Sequence, residues 1–317
     1  MQTAAHPRWK TLLSFAIIYF VWGSTFLAIR VGVAEVPPFL LAGMRFVIAG
    51  ALLFGWMRAT GTASPTLREW GAATLLAILI FVGDYGMVFW AEQRVPSGIT
   101  SVMMATIPVF MTLSEILIMK TQRLTLRLGA ALLVGIGGVA VLVSRAAHFG
   151  DAPVDTVGAG ALILAGISWA VGSILTRKVT LPSSKAMSSG AQMLAGGILL
   201  TMIAGLLGEF EGFHPQAVSL KAWLCLVYLI VAGSIIAFTA YVWLIHHESP
   251  TKVGTYAYAN PVVAVILGYL LGGEAIGART ILGTLLVLFS VVVITTAPSG
   301  KKISERIETS KEATETA

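Results

Sequence analysis

Ten runs of about 20 mostly apolar residues, joined by short polar connections, take up nearly the whole of this sequence. A helix of that length spans the hydrocarbon core of a bilayer, where only helices and closed barrels leave no backbone polar group unsatisfied. The runs fall at residues 11–33, 37–57, 70–91, 98–119, 126–143, 157–175, 184–207, 222–245, 253–272 and 280–296. The chain therefore reads as an all-α integral membrane protein of ten transmembrane helices.

Composition agrees, since 56% hydrophobic and 11% charged residues, with a mean hydropathy of +0.86, leave too little polar surface for a soluble globule. The net charge of +6 would suit a nucleic-acid partner, but the positions of the 21 basic residues account for it. With the N-terminus in the cytoplasm, 15 fall in inside segments and only Arg94, Arg145, Lys221 and Arg279 outside, while Arg30 and Arg45 lie within spans. That bias is the positive-inside rule; it predicts that both termini are cytoplasmic and leaves no charge for a nucleic acid to explain. The first run is longer than a signal-peptide core and no Ala-x-Ala site follows it, so it is expected to be retained. A single cysteine, Cys225, excludes an intramolecular disulfide framework.

The sequence also repeats itself. An offset of 147 carries Trp22 to Trp169, Arg30 to Arg177, Gly43 to Gly190, Arg45 to Gln192 and Gly50 to Gly197. An offset of 153 then pairs Trp90 with Trp243 and Pro108 with Pro261. Each half holds five spans, an odd number, so the second half enters the membrane from the opposite side. The expectation is two inverted five-helix repeats, 11–144 and 157–297, joined by an outer linker at 145–156 and flanked by a cytoplasmic N-terminus (1–10) and a polar cytoplasmic tail (298–317). Inverted repeats are a device of secondary transporters, in which the two halves exchange conformations around a site near the midplane.

Pro261 stands in the middle of the ninth run, where it removes a backbone donor and frees a carbonyl one turn earlier. The expectation is a helix broken at mid-membrane, with Asn260 or water satisfying the freed groups. The run closes on Gly272, Gly273 and Glu274. Asn260 and Pro261 followed by that Gly-Glu ending resemble the closing signature of the EamA domain, the repeat unit of the drug/metabolite transporter superfamily. The resemblance covers both halves and implies ten helices, a central cavity, and export of metabolites or drugs across the bacterial inner membrane. Lys120 and Thr121 stand where the first half would carry Gly-Glu, so Glu274 is expected to cap or pair at the outer surface.

Counted at 1.5 Å per residue, Trp22, Pro108, Trp169 and Pro261 fall near the bilayer midplane. Ser24 and Thr25 accompany Trp22, giving hydroxyls beside a flat apolar face that suits a small amphipathic metabolite; packing between helices is the alternative use of these tryptophans. Arg45 and Asp84 lie at similar depths, about 10–12 Å from the outer surface, and are expected to pair, since a lone buried charge is costly. Tyr85, Gln192, Tyr256, Tyr258 and Asn260 complete the candidate substrate contacts, with at most one of the two closely spaced tyrosines facing the cavity. Glu115 lies close enough to the cytoplasmic surface to be solvated, and the adjacent His246 and His247 point apart, so no metal site is expected. Gly129, Gly135, Gly137, Gly138, Gly268 and Gly272 are small-residue faces for close helix packing.

No cofactor or metal is implied. The expected partners are a small-molecule substrate, the lipid bilayer and a proton as coupling ion, with the protein a monomer or homodimer in the inner membrane. The leading reading is a secondary exporter of amino acids or their analogues, a substrate class taken from the family resemblance. A multidrug or lipophilic-cation exporter is the alternative, for which the aromatic wall fits and Arg45 does not. A channel is less consistent with the duplicated design, and the sequence lacks the motifs of an intramembrane enzyme or an ATP-binding loop.

Overall fold

The structure, a computed structural model, describes residues 8–114, 116, 125–143, 154–176, 178–247 and 256–295, and they are helical apart from short connections. In chain order the helices are α1 (Arg8–Val33), α2 (Pro38–Ala59), α3 (Leu67–Ala91), α4 (Ser97–Met104), α5 (Ile107–Ser114) and α6 (Leu126–Val143). They continue with α7 (Thr156–Thr176), α8 (Lys185–Leu206), α9 (residues 220–247), α10 (Tyr256–Gly272) and α11 (Ala278–Thr295). Each of the ten apolar runs thus contains a helix. Six helical stretches are long and apolar enough to cross a membrane: α1, α2, α3, α7, α8 and Leu220–Tyr241 of α9; the apolar stretches in α4–α5, α6, α10 and α11 are shorter. Large apolar side chains such as Trp56, Leu133, Leu206 and Phe289 stay more than half exposed, which suits a lipid solvent and not water.

The helices are interleaved rather than stacked half against half. α1 packs on α9 and α10, α7 packs on α3, α4 and α5, α2 pairs with α8, and α6 pairs with α11. Glycine governs these contacts because its missing Cβ lets backbones meet. Along the antiparallel α2–α8 pair, Gly43 faces Thr201 and Gly50 faces Leu194, while Gly190 faces Phe54 and Gly197 faces Val47. Adding 147 to one member and subtracting it from the other turns the first two contacts into the last two. That is the exchange a two-fold axis between the helices produces. The α6–α11 pair makes the same exchange at an offset of 145, with Gly138 on Val287 answered by Gly283 on Leu142, and Gly135 resting on Ser290. Gly135 and Gly138 therefore serve internal packing, as does Gly272, which faces Leu27.

α3 and α9, the third helices of the two halves, each depart from α geometry in their middle. Residues Ile78–Gly86 and Leu229–Ile236 are π-helical. A π turn lengthens the backbone ladder from four residues to five, leaves carbonyls open to outside donors, and is frequent at functional sites.

The break expected at Pro261 is absent. Pro261 sits inside the continuous α10 rather than breaking it. With its amide nitrogen turned to donate, Asn260 reaches the carbonyls of Tyr256 and Tyr19 at 3.2 Å each, which ties α10 to α1 beside the proline. The interruption comes instead in the first half, between α4 and α5, where Ala105 and Thr106 separate Met104 from Ile107 and Pro108 occupies the first turn of the new helix. Proline is tolerated there because first-turn donors have no intrahelical partner. The Thr106 hydroxyl donates to the Met103 carbonyl at 2.6 Å, stabilising the turn. Glu115, Lys120, Thr121 and the side chains of Tyr258, His246 and His247 lie outside the described residues.

Candidate functional site

The π stretches mark where the halves cross. In α9 the opened Gly233 carbonyl accepts the Trp22 indole N–H from α1 at 3.2 Å, and in α3 the Leu79 carbonyl accepts the Ser168 hydroxyl from α7 at 2.8 Å. Each approach is made possible by a glycine. A Cβ on Gly83 would run into Ser168, and one on Gly233 would lie 2.9 Å from Thr25 Cγ2. Trp169, the residue after Ser168, packs edge-on against Tyr85 of the α3 π stretch with ring centres 5.9 Å apart.

An aromatic cluster grows from these crossings. Trp22 lies 5.1 Å from both Tyr241 and Tyr256, and those two tyrosines are 6.1 Å apart. Tyr85 contacts Phe46 and Phe81, and lies within electrostatic reach of Tyr241 and Tyr256. Ser24 and the Tyr228 hydroxyl share a 2.5 Å hydrogen bond, while Thr25 bonds back to the Trp22 carbonyl. Of the predicted site residues, Trp22, Ser24, Thr25, Tyr85, Trp169 and Tyr256 are thus brought together from α1, α3, α7 and α10. Asn260 and Pro261 border the same region, where Gly23 of α1 lets the Asn260 carbonyl and Val263 approach. Pro108 lies at the α4–α5 break, on the helix that packs with α7.

Two buried charged residues sit in this cluster and form no ion pair, which corrects the expected partnership of Arg45 with Asp84. Arg45 Nε donates to Ser234 of the α9 π stretch at 3.0 Å, and its guanidinium stacks over Phe46, Tyr85 and Phe89 at 4.7–5.9 Å. Those rings and the hydroxyl stabilise the cation without a carboxylate. Arg45 Nη1 and Asp84 Oδ1 are both buried without a hydrogen-bond partner. Ser234 and Asp84 occupy matching places in the two π stretches, and Arg45 and Gln192 match in the two paired helices. Gln192 nevertheless turns to Ser188 of its own helix at 3.0 Å and leaves Asp84 alone. A buried polar atom without a partner costs about 1–3 kcal/mol.

At one end of the molecule three glutamates cross between the halves. Glu35, after α1, accepts from the backbone N–H and hydroxyl of Ser219 at the start of α9, at 2.6 and 2.7 Å. Glu209, after α8, accepts from the N–H groups of Phe39 and Leu40 at the start of α2. Glu274, after α10, accepts from the Ser97 N–H and hydroxyl, both at 2.6 Å, and from the Gly98 N–H at 3.0 Å. Each carboxylate thereby satisfies the orphan donors of a helix of the other half, next to the positive end of its dipole. Gly208 and Gly273 have φ of 72° and 66°, the left-handed conformation that turns the chain so that the following glutamate points back across the interface. Glu274 therefore caps, as expected; Glu35 and Glu209 were not visible as caps, because a cap from a distant segment has no local spacing. Ser219 holds the exposed Glu35 carboxyl below the usual carboxylate range through its backbone and side-chain hydrogen bonds, whereas partial burial raises that of Glu209 against the Leu40 and Phe39 amides. At the opposite end the described caps are local: Thr66 with Glu69, and Ser184 on Met187.

An apolar groove of about 480 Å³ lies away from the cluster, lined by Phe39, Met87, Trp90, Val157, Gly160, Ala161 and Leu164. Arg94 covers the Trp90 ring at 4.1 Å beside it. No group of three or more His, Cys, Asp or Glu able to hold a metal occurs among the described residues.

Comparison with known proteins agrees with this architecture. The uncharacterized inner membrane transporter YedA of Escherichia coli K12 is 38% identical over 280 residues, covering 88% of each chain. The uncharacterized transporter YoaV of Bacillus subtilis is 23% identical over 305 residues, covering 93% of this chain and 99% of its own. A solved crystal structure superposes with a TM-score of 0.60 at 25% identity, across 91% of this chain and 96% of the other. The EamA-like transporter family matches residues 9–144 and again 156–296. The chain thus belongs to the EamA-like transporter family and carries its domain twice in tandem.

Proposed function

We propose that this protein is a secondary transporter that exports amino acids or close analogues across the bacterial inner membrane, by alternating access at the cluster where the two halves cross. In this reading the ten helical runs are ten spans, the halves are inverted five-helix repeats, both termini are cytoplasmic, and the glutamate-capped end faces outward. The observation that carries the substrate class is the pair of unpartnered buried groups. Arg45 Nη1 offers a donor for a carboxylate and Asp84 Oδ1 an acceptor for an ammonium, with Trp22, Tyr85, Trp169 and Tyr256 around them for a side chain. A zwitterion matches both charges and replaces the water it leaves with fixed partners. The two-fold contacts of α2 with α8 and α6 with α11 support the exchange of conformations between halves.

The test is uptake by inside-out membrane vesicles carrying the protein, measured with a panel of labelled amino acids and of cationic dyes. Accumulation of an amino acid above empty-vector vesicles, lost in Arg45→Gln, is the expected result. Dye accumulation that survives Arg45→Gln, with no amino-acid signal, would instead establish a lipophilic-cation exporter, for which the ring cluster and Asp84 would suffice.

A further inference from the structure

Glu92 follows α3 and is fully buried, with neither carboxylate oxygen hydrogen-bonded. It lies at the glutamate-capped end, near charged groups from two other segments. Arg30 of α1 donates to the Glu92 backbone carbonyl, and Glu274, which caps α4, lies within electrostatic reach of the Glu92 carboxyl. Other charges nearby are engaged elsewhere: Arg94 stacks on Trp90, Asp155 accepts from the Gly158 N–H, and the buried Arg279 at the start of α11 has interactions of its own.

A carboxyl buried without a hydrogen bond ionises only at a cost, and a second carboxylate within reach raises that cost. Glu274 receives three hydrogen bonds from the start of α4. Glu92 receives none at its carboxyl, so the proton belongs there. Burial first, and the neighbouring Glu274 second, push the Glu92 carboxyl well above the ordinary range, with Arg30 opposing them.

We propose that Glu92 is a proton-binding site whose occupancy controls closure of the glutamate-capped end. With Glu92 protonated, Glu274 stays seated on α4 and the halves are held together. Loss of the proton leaves a buried, unsatisfied charge on Glu92 within reach of Glu274, and the Glu274 contact, held only by hydrogen bonds, is the one that yields. The sign follows from linkage: the closed end binds a proton that the opened, hydrated end releases, so closure takes up a proton. Closure is at full strength below the ordinary carboxyl range and weakens as pH rises from there toward the raised value of Glu92. Where the capped end faces the outside, the proton is both taken up from and returned to the outer side, so the device gates the outer end according to outside pH. The inference extends the exporter reading, but its test measures conformation and not transport, so either can fail alone.

The test uses the full chain in lipid nanodiscs with Cys225→Ser, and with spin labels at Gln93→Cys and Ile276→Cys, one on each side of the junction. In the parent, the label distance is expected to be short at low pH and to lengthen as pH rises. Glu92→Gln, a fixed neutral mimic, is expected to stay short at every pH, and Glu274→Gln to stay long. A pH-independent distance in the parent, or a Glu92→Gln protein that still titrates, overturns the proposal. Infrared spectroscopy of the parent supplies a check that does not depend on the variants folding. A protonated-carboxyl C=O band that vanishes as pH rises together with junction opening supports it, and the absence of any such band at neutral pH refutes it.

Discussion

In the second half the π stretch of α9 presents Ser234, and Arg45 crosses from the first half to bond it at 3.0 Å. In the first half the π stretch of α3 presents Asp84, and Gln192, the repeat counterpart of Arg45, turns away to Ser188. The surroundings of the two places are alike: a glycine opens each π stretch to the first helix of the other half, and a Trp22 or Ser168 donor takes an opened carbonyl. Backbone geometry has thus been kept symmetric while the polar side chains have diverged. Symmetric backbone lets the two halves trade conformations at little cost, whereas a binding site for an asymmetric molecule needs unlike groups on its two sides. One half supplies a guanidinium and the other a carboxyl group, and each keeps a polar atom unsatisfied.

The comparison breaks most sharply where those two groups are neutralised. Arg45→Gln and Asp84→Asn are each expected to lower vesicle uptake about 100-fold or more, equivalent to ~2.7 kcal/mol. Because the two form no ion pair, their effects on thermal unfolding should add to within about 0.5 kcal/mol in the double variant. A double variant that is more stable than either single one would restore the ion pair that the structure lacks.

Gln192→Arg sharpens the comparison by making the halves alike. It brings a cation to the helix position that faces the α3 π stretch, where Asp84 lacks a partner. Uptake is expected to fall about tenfold while the unfolding temperature rises, since a substrate must then displace a built-in ion pair. Unchanged uptake would show that Asp84 does not meet the substrate.

The smallest effect is expected at the capped end, from Glu35→Gln. Ser219 holds this carboxyl below its ordinary range, so its contribution is present above that range and is lost as pH falls through the depressed value. The residue is solvent-exposed, and the difference from the parent should be a slight lowering of the unfolding temperature at neutral pH that disappears in acid. A difference that grows in acid would reverse the assigned sign.

Much of this was legible from residue spacing. The ten runs gave the helices, and the glycines that the offset of 147 relates turn out to be residues through which α2 and α8 touch. The π stretches were missed, although an offset of 150, between the two that were noticed, pairs Gly83 with Gly233 and Asp84 with Ser234. A widened turn alters hydrogen bonding without altering composition, so apolar periodicity is blind to it. The prolines misled because proline disfavours a helix interior but does not decide whether the helix breaks. Pro261 is carried within the continuous α10, and the Ala105–Thr106 turn interrupts the chain before Pro108. Tyr228 and Tyr241 join the cluster only through the crossing of α9 with α1. Glu92 reads as a loop acid, since its burial depends on segments more than sixty residues away in either half.

The central claim, that the crossing of the two halves is the substrate site, is tested most directly by an experimental structure with the transported amino acid bound. The account predicts its carboxylate on Arg45, its ammonium on Asp84 and its side chain among Trp22, Tyr85, Trp169 and Tyr256. Ligand bound instead in the apolar groove between Trp90 and Leu164, with Arg45 still turned to Ser234 and Asp84 still unpartnered, would contradict it.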